Sequence, residues 1–130
     1  MRQSIDGKVI NFKMRIDAPK ILLDSENYIF LIEGPSYPED AFEIYDCVIQ
    51  WIKQNQHQFK QPLNCEFKFK VLSSASRKLI LEILYTLEKA AKKNQNITVK
   101  WYYDEYDEDM KEAGEDLADN IDIPFEFIAL

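Results

Sequence analysis

The feature that most constrains the fold is an alternating segment that leads directly into a helix-like segment. In residues 63–71 apolar and polar side chains alternate, as they do in a half-buried β-strand. Residues 76–93 instead carry apolar side chains at helical spacing, which predicts an amphipathic helix. The turn between them contains Ser73, Ser74 and Ser76. A strand that passes straight into a helix is the repeating step of an α/β sheet.

The rest of the chain repeats this step. Residues 21–23 and 28–32 read as two strands around a polar turn, which predicts an antiparallel hairpin. The sequence also predicts a helix that begins near Pro38 and an acidic helix at 107–119. Two further strands are predicted at 97–103 and 124–128. Residues 1–17 form either an edge strand or an ordered arm. We expect Phe30, Ile32, Val48, Phe67, Phe69, Val71, Ile80, Leu84, Leu87, Val99 and Phe127 in the core.

These elements predict one α/β domain over residues 1–130. Its sheet is expected to be mixed and mostly parallel, with an initial antiparallel hairpin and three or more covering helices. The hydrophobic content of 46% supports a folded globule, and no segment reads as a secretory signal or a bilayer span. Cys47 and Cys65 are expected as buried reduced thiols. We therefore expect a cytoplasmic protein with no membrane partner.

Charge is unevenly distributed along the chain. Residues 101–130 hold eleven Asp and Glu and one base, Lys111, whereas residues 1–100 hold twelve acids and fifteen bases. An acidic C-terminal third disfavours nucleic acid as a partner, because phosphate backbones are bound by Lys and Arg. The acids either steer a protein partner that has a basic face or form a solvated helix surface.

No catalytic arrangement is recognisable, so we expect a non-enzyme without cofactor or metal. The chain has one histidine, His57, in a Gln-rich loop without a matched partner. It has no Gly-rich phosphate loop, no nucleophile elbow and no C-x-x-C pair. Twelve residues from Asp104 to Glu115 have the length of a calcium loop, but Tyr106 and Asp109 stand where a ligand and a glycine belong.

The serine turn has two interpretations from the residues alone. The start of a helix carries unpaired N–H groups and a partial positive charge, so a phosphoryl group on one of these serines is well tolerated there. A serine in this place is also a common N-cap, whose side chain accepts a hydrogen bond from the helix backbone.

Several segments together resemble the SiaC family of bacterial regulatory phosphoproteins. The matching segments are residues 18–24, 34–40, the strand-turn-helix around Ser74, residues 101–104 and 107–110, Gly114-Glu115 and residues 123–125. Among them, the Ser-Tyr-Pro-Glu element and the Trp-x-Tyr-Asp element are fairly specific. The resemblance covers roughly residues 16–128 in colinear order.

The resemblance implies a fold similar to STAS domains and a role in partner switching. In such a circuit a dedicated kinase phosphorylates the small protein, and a metal-dependent serine/threonine phosphatase reverses the modification. The unphosphorylated form binds and stimulates a diguanylate cyclase, which raises cyclic di-GMP and favours aggregation or biofilm growth.

The resemblance also implies the site. The family turn reads Asn-Thr-Ser-Ser with threonine as the acceptor, and the alignment places Ser74 on that threonine, Ala75 on the first serine and Ser76 on the second. Ser74 is thus the expected acceptor, with Ser76 and then Ser73 as alternatives. The expected partner-binding residues are Ser73, Ser76, Arg77, Lys78, Ser36, Tyr37 and Glu39. A constitutive interaction module and a small ligand-binding domain using residues 34–39 are the competing hypotheses.

Overall fold

The structure is a computed structural model, and it describes residues 2–3, 7–94 and 96–130. The strands are β1 (Arg2–Gln3), β2 (Val9–Phe12), β3 (Lys20–Asp24), β4 (Ile29–Ser36), β5 (Leu63–Leu72), β6 (Ile97–Tyr103) and β7 (Phe125–Ala129). The helices are α1 (Ala41–Asn55), α2 (Ser74–Asn94) and α3 (Glu108–Ala118), and a short 3-10 turn spans Gln56–Gln58.

The seven strands lie in the sheet in the same order as in the chain. Pairings from β1 to β4 are antiparallel, and those from β4 to β7 are parallel. The predicted hairpin is β3–β4, and each later parallel connection contains one helix. The predicted α/β fold class is therefore confirmed. Of the N-terminal segment, Val9–Phe12 forms β2 between β1 and β3, and residues 1 and 4–6 lie outside the described part.

The helices cover one face of the sheet. Phe30, Phe67 and Trp101 come from three adjacent strands, and their rings form a row with centroids 5.7 and 6.0 Å apart. Trp51 of α1 packs on Phe30, and Gly114 of α3 lies so close to Trp101 that a Cβ would come within 2.5 Å of the indole ring. The other face carries half-buried side chains such as Leu31, Glu66, Lys68, Lys100 and Tyr102.

An irregularity between β4 and β5 changes which side chains face the core. The strand predicted at 28–32 is longer in the structure, because β4 continues to Ser36 through a register shift between Gly34 and Pro35. Gly34 pairs with Phe69 and Pro35 pairs with Val71, so β5 contributes one extra residue, Lys70. Such a bulge interrupts the alternation of faces.

The bulge explains the one clear error in the predicted core. Val71 is 51% exposed, and Phe127 is half-buried. The other nine expected residues are buried: Phe30, Ile32, Val48, Phe67, Phe69, Ile80, Leu84, Leu87 and Val99. Beyond the bulge the two-residue period of the strand is shifted, and Val71 points away from the core.

The starts of two helices and the state of the two cysteines can also be compared with the predictions. α1 begins after Asp40 rather than at Pro38, and α2 begins two residues earlier than expected, at Ser74. Cys47 and Cys65 are free thiols, as expected, but only Cys65 is buried, and Cys47 is half-buried. Burial raises the pKa of the Cys65 thiol well above its usual value. In the part of the chain that the structure describes, no helix is both long and apolar enough to cross a bilayer.

Candidate functional site

Ser73 caps the second helix. Its Oγ accepts a hydrogen bond from the backbone N–H of Ser76 at 3.1 Å, and its carbonyl accepts one from the N–H of Arg77 at 2.8 Å. The N–H of Ser73 donates to the carbonyl of Ser36 at 2.9 Å, which ties the turn to the end of β4. The N-cap interpretation of the turn is therefore correct for this serine.

Ser74 is the first residue of α2, and its side chain is exposed. It lines a groove of about 310 Å³ between α2 and α3. The other residues around this groove are Arg77, Lys78, Leu81, Asp116, Leu117 and Asn120. A hydroxyl at this place is open to an enzyme that would modify it, and two bases stand within one helical turn of it.

Ser76 lies on the opposite side of the same turn and is fully buried. The Ser36 hydroxyl donates to Ser76 Oγ at 2.8 Å and lies 2.5 Å from the Tyr45 hydroxyl, so three buried hydroxyls form a chain. Burial raises the pKa of the Tyr45 phenol well above its usual range, because it penalises the phenolate. Ser36 and Ser76, both expected to contact a partner, thus lie beneath the surface.

The helical spacing carries a signal for this burial. Ser76 precedes Ile80 by four residues and Ile83 by seven, which places it on the apolar stripe of α2. Ser74 precedes Lys78 by four residues, and Lys78 is exposed. The periodicity therefore separates the two serines, although it does not identify the hydroxyls that Ser76 meets.

The two bases of the turn differ in their contacts. Arg77 Nη2 donates to Asp116 Oδ2 of α3 at 3.0 Å, and both side chains are about half-exposed. The Lys78 side chain is exposed. The sequence prediction named both bases but not Asp116, which is thirty-nine residues away in the chain.

The segment after β4 lies at the same edge of the sheet as the serine turn. The Tyr37 hydroxyl donates to the carbonyl of Ile16 at 3.1 Å, and the Tyr37 N–H donates to the carbonyl of Asp17 at 2.9 Å. Arg15 binds the Asp40 carboxylate with two hydrogen bonds, which holds the pKa of that carboxyl below its usual value. Tyr37 and Glu39 are exposed, as a contact role requires.

Exposed apolar side chains concentrate at this edge, by which we mean the end of the sheet where the C-terminal ends of β2, β4, β5, β6 and β7 lie. Val71 stands two residues before the serine turn, and Ile16 in the segment after β2 is 90% exposed. Among the residues that the structure describes, the set at the edge is Met14, Ile16, Tyr37, Phe42, Val71, Tyr106 and Leu130. We call these residues the apolar edge. Sequence reasoning named only Tyr37 of this set as a contact residue.

A second concavity of about 530 Å³ opens at the same edge. Its lining includes Glu33, Lys68, Lys70, Tyr102 and Tyr106, and the Lys68 ammonium lies 4.5 Å from the centroid of the Tyr102 ring. No cluster of His, Cys, Asp and Glu suited to a metal occurs among the described residues. His57 is exposed in the 3-10 turn.

This α/β domain has its helices on one face, and it presents an exposed serine, Ser74, just after a helix cap and near the apolar edge. Such an arrangement has the form of a protein-binding regulatory domain. The chain belongs to the SiaC family: the sequence model of the SiaC family regulatory phosphoprotein matches residues 12–130. The predicted family is thereby confirmed.

Solved structures show the same fold. Apo-SiaC from Pseudomonas aeruginosa is 25% identical, with a TM-score of 0.84 over 93% of this chain and 98% of that one. SiaC in the complex of the diguanylate cyclase SiaD with its activator SiaC, also from P. aeruginosa, is 26% identical. Its TM-score is 0.86, over 93% of this chain and 99% of that one. An uncharacterized protein of P. aeruginosa strain UCBPP-PA14 is 29% identical over 94 residues, which are 72% of this chain and 75% of that protein.

Proposed function

We propose that this protein is a non-enzymatic activator of a diguanylate cyclase, and that phosphorylation of Ser74 switches the activation off. The observation that carries the proposal is an exposed acceptor beside the apolar edge, in a chain of a regulatory phosphoprotein family. The relative SiaC, which shares the fold, was solved with the cyclase SiaD as its activator. The output would be a higher level of cyclic di-GMP and more aggregation or biofilm growth.

Burial and hydrogen bonding favour Ser74 over its neighbours as the acceptor. Phosphorylation of Ser76 would require its buried hydroxyl to leave the Ser36 contact and would place charge in the core. Ser73 Oγ is engaged in capping the helix. Ser74 is exposed and can be modified without the loss of either arrangement.

The apolar edge supports a docking role for the surface around Ser74. Large exposed apolar side chains grouped in one place are typical of protein interaction sites. Tyr37 and Val71 belong to this edge, and Glu39 and Lys78 are exposed close to it in the chain. A partner that covers the edge would bring the serine turn into a contact from which water is excluded.

A phosphoryl group in that contact would weaken the complex. It adds close to two negative charges, and an unpaired charge in a desolvated interface costs about 3 kcal/mol. That cost corresponds to more than a hundredfold in affinity. A dedicated kinase and a metal-dependent serine/threonine phosphatase would set the state of Ser74. Because such a kinase uses ATP, we place the protein in the cytoplasm.

The test measures cyclic di-GMP synthesis by the purified diguanylate cyclases of the organism that makes this protein. We expect the unmodified protein and Ser74→Ala to stimulate one of these cyclases, and Ser74→Glu to stimulate it at least tenfold less. Gln61→Glu is the matched control: it adds the same charge at an exposed residue just before β5, at the opposite end of that strand from Ser74. Stimulation of no cyclase would refute the activator role.

Two results would support the alternatives. If Ser74→Ala and Ser74→Glu stimulate equally, and Ser74 carries no phosphate in protein purified from its native cells, the protein is a constitutive interaction module. The ligand-binding alternative would use the concavity of about 530 Å³ rather than residues 34–39, because the concavity has the size of a small-molecule site and none of residues 34–39 lines it. A rise in melting temperature with a nucleotide, lost in Tyr102→Ala, would identify such a ligand.

A further inference from the structure

The ion pair between Arg77 and Asp116 joins the first turn of α2 to the last turn of α3. Its Nη2–Oδ2 distance is 3.0 Å, and the two side chains are 40% and 56% exposed. A pair this open to solvent is weak and exchanges readily. The bond uses one N–H group of a guanidinium that carries five.

Arg77 stands three residues after Ser74 on the same helix. Side chains at this spacing are neighbours on a helix surface, with Cβ atoms about 5–6 Å apart. Ser74, Arg77 and Asp116 also line the same groove of about 310 Å³. A hydrogen-bond acceptor attached to Ser74 would therefore lie within reach of the guanidinium that now binds Asp116.

We propose that Asp116 holds Arg77 in the unmodified protein, and that a phosphoryl group on Ser74 takes Arg77 away from it. The proposal rests on the proposed function, since it describes how phosphorylation of that serine is read. A phosphoryl group brings close to two charges and three acceptor oxygens, against one charge on Asp116. The planar guanidinium binds such a group with two parallel hydrogen bonds.

Loss of Arg77 would change the surroundings of α3. This helix contains five acids, Glu108, Asp109, Glu112, Glu115 and Asp116, and one base, Lys111. The exchange removes the cation that α2 pairs with Asp116 in the last turn of α3, so the acids of α3 repel one another more strongly. Phosphorylation at the start of α2 is thereby transmitted to a second surface, that of α3.

The test uses protein made with phosphoserine at position 74, whose phosphate is titrated by 31P NMR. The second ionisation of free phosphoserine has a pKa of about 6. We expect a lower value in the folded protein, because Arg77 stabilises the dianion. In Arg77→Gln the value should return toward that of a phosphoserine peptide, by about half a pH unit or more. In Asp116→Asn it should fall further, because the competing carboxylate is gone.

Two controls make the result specific. Asp119→Asn removes the same charge from an exposed residue that caps the end of α3, and it should leave the phosphate pKa nearly unchanged. In the double variant Arg77→Gln/Asp116→Asn the phosphate should titrate as in Arg77→Gln alone. Equal values in Arg77→Gln and the parent protein, or equal effects of Asp119→Asn and Asp116→Asn, would overturn the exchange.

The measurement requires neither a kinase nor a cyclase. The NMR titration can thus refute the exchange of Arg77 while the cyclase assay supports the activator role. The opposite combination of results is equally distinguishable. Each proposal is refuted by its own experiment.

Discussion

The inner and outer sides of the first turn of α2 differ sharply, although they are built from neighbouring residues. On the inner side Ser76 is buried and bonded to Ser36, which also contacts Tyr45. On the outer side Ser74 is exposed, and Arg77 is held by one half-exposed ion pair. The inner side fixes the position of the turn, which leaves the outer side free to change charge without loss of the fold.

The strongest test of this contrast introduces the same charge on each side. Ser76→Asp should lower the free energy of unfolding by more than about 3 kcal/mol, because it buries a carboxylate without a cation. Ser74→Asp should change it by no more than about 0.5 kcal/mol, since the carboxylate is solvated at a helix start. Urea unfolding followed by circular dichroism measures both. Similar losses in the two variants would remove the distinction between the sides.

The second-largest loss of stability is expected from a change of Ser36, the middle residue of the buried hydroxyl chain. Ser36→Ala should cost about 2 kcal/mol, because it leaves the hydroxyls of both Tyr45 and Ser76 without their shared partner. Ser25→Ala is a matched control, because Ser25 is also buried and its Oγ has no hydrogen-bond partner among the described residues. That control should be neutral or slightly stabilising, and a cost as large as that of Ser36→Ala would contradict the role of the chain.

Alkaline pH should weaken the inner side selectively. The folded protein raises the pKa of the Tyr45 phenol, so the unfolded chain releases this proton first as pH rises past about 10. The contribution of this phenol to the free energy of unfolding is fully present below about pH 10. Above that pH it decreases by up to about 1.4 kcal/mol for each pH unit. Urea midpoints between pH 8 and 11 should fall less steeply in Tyr45→Phe. Parallel pH curves for the two proteins would argue against a shifted phenol.

The smallest effect belongs to the outer side. Asp116→Asn should change the free energy of unfolding by about 0.5 kcal/mol or less, because both partners of its ion pair are solvated. The difference from the parent protein should vanish in about 1 M salt, where the Debye length is about 3 Å. Thermal unfolding at low and high salt measures it. A cost near that of Ser36→Ala would mean that the outer side also holds the fold together.

The pattern of apolar and polar residues along the chain was sufficient to predict most of the helices and strands. Alternation and helical spacing are properties of adjacent residues, and the strand predicted at 97–103 coincides with β6. Val71 shows where such reasoning ends, because its exposure depends on a bulge opposite Gly34 in a different strand. The register between two strands is set by their packing, which alternation within one strand does not contain.

The candidate site could likewise be predicted only in part from the sequence. The turn was predicted from local spacing, and Ser74 as its acceptor from the family resemblance. The role of Ser74 stays a prediction, with which its exposure agrees. The contact of Arg77 with Asp116 joins residues 39 apart, and the hydroxyl chain Tyr45–Ser36–Ser76 joins three elements. Such contacts arise only after the sheet has brought the elements together.

The order of the strands bears on how the protein forms as it is synthesised. Because strand order in space follows strand order in the chain, each new strand from β2 to β7 finds its neighbour already made. Assembly can therefore proceed from the ribosome one strand at a time, without waiting for a distant segment. The serine turn is completed with α2, whereas Asp116 emerges later with α3. The nascent chain thus passes through a stage in which Arg77 has been made and Asp116 has not.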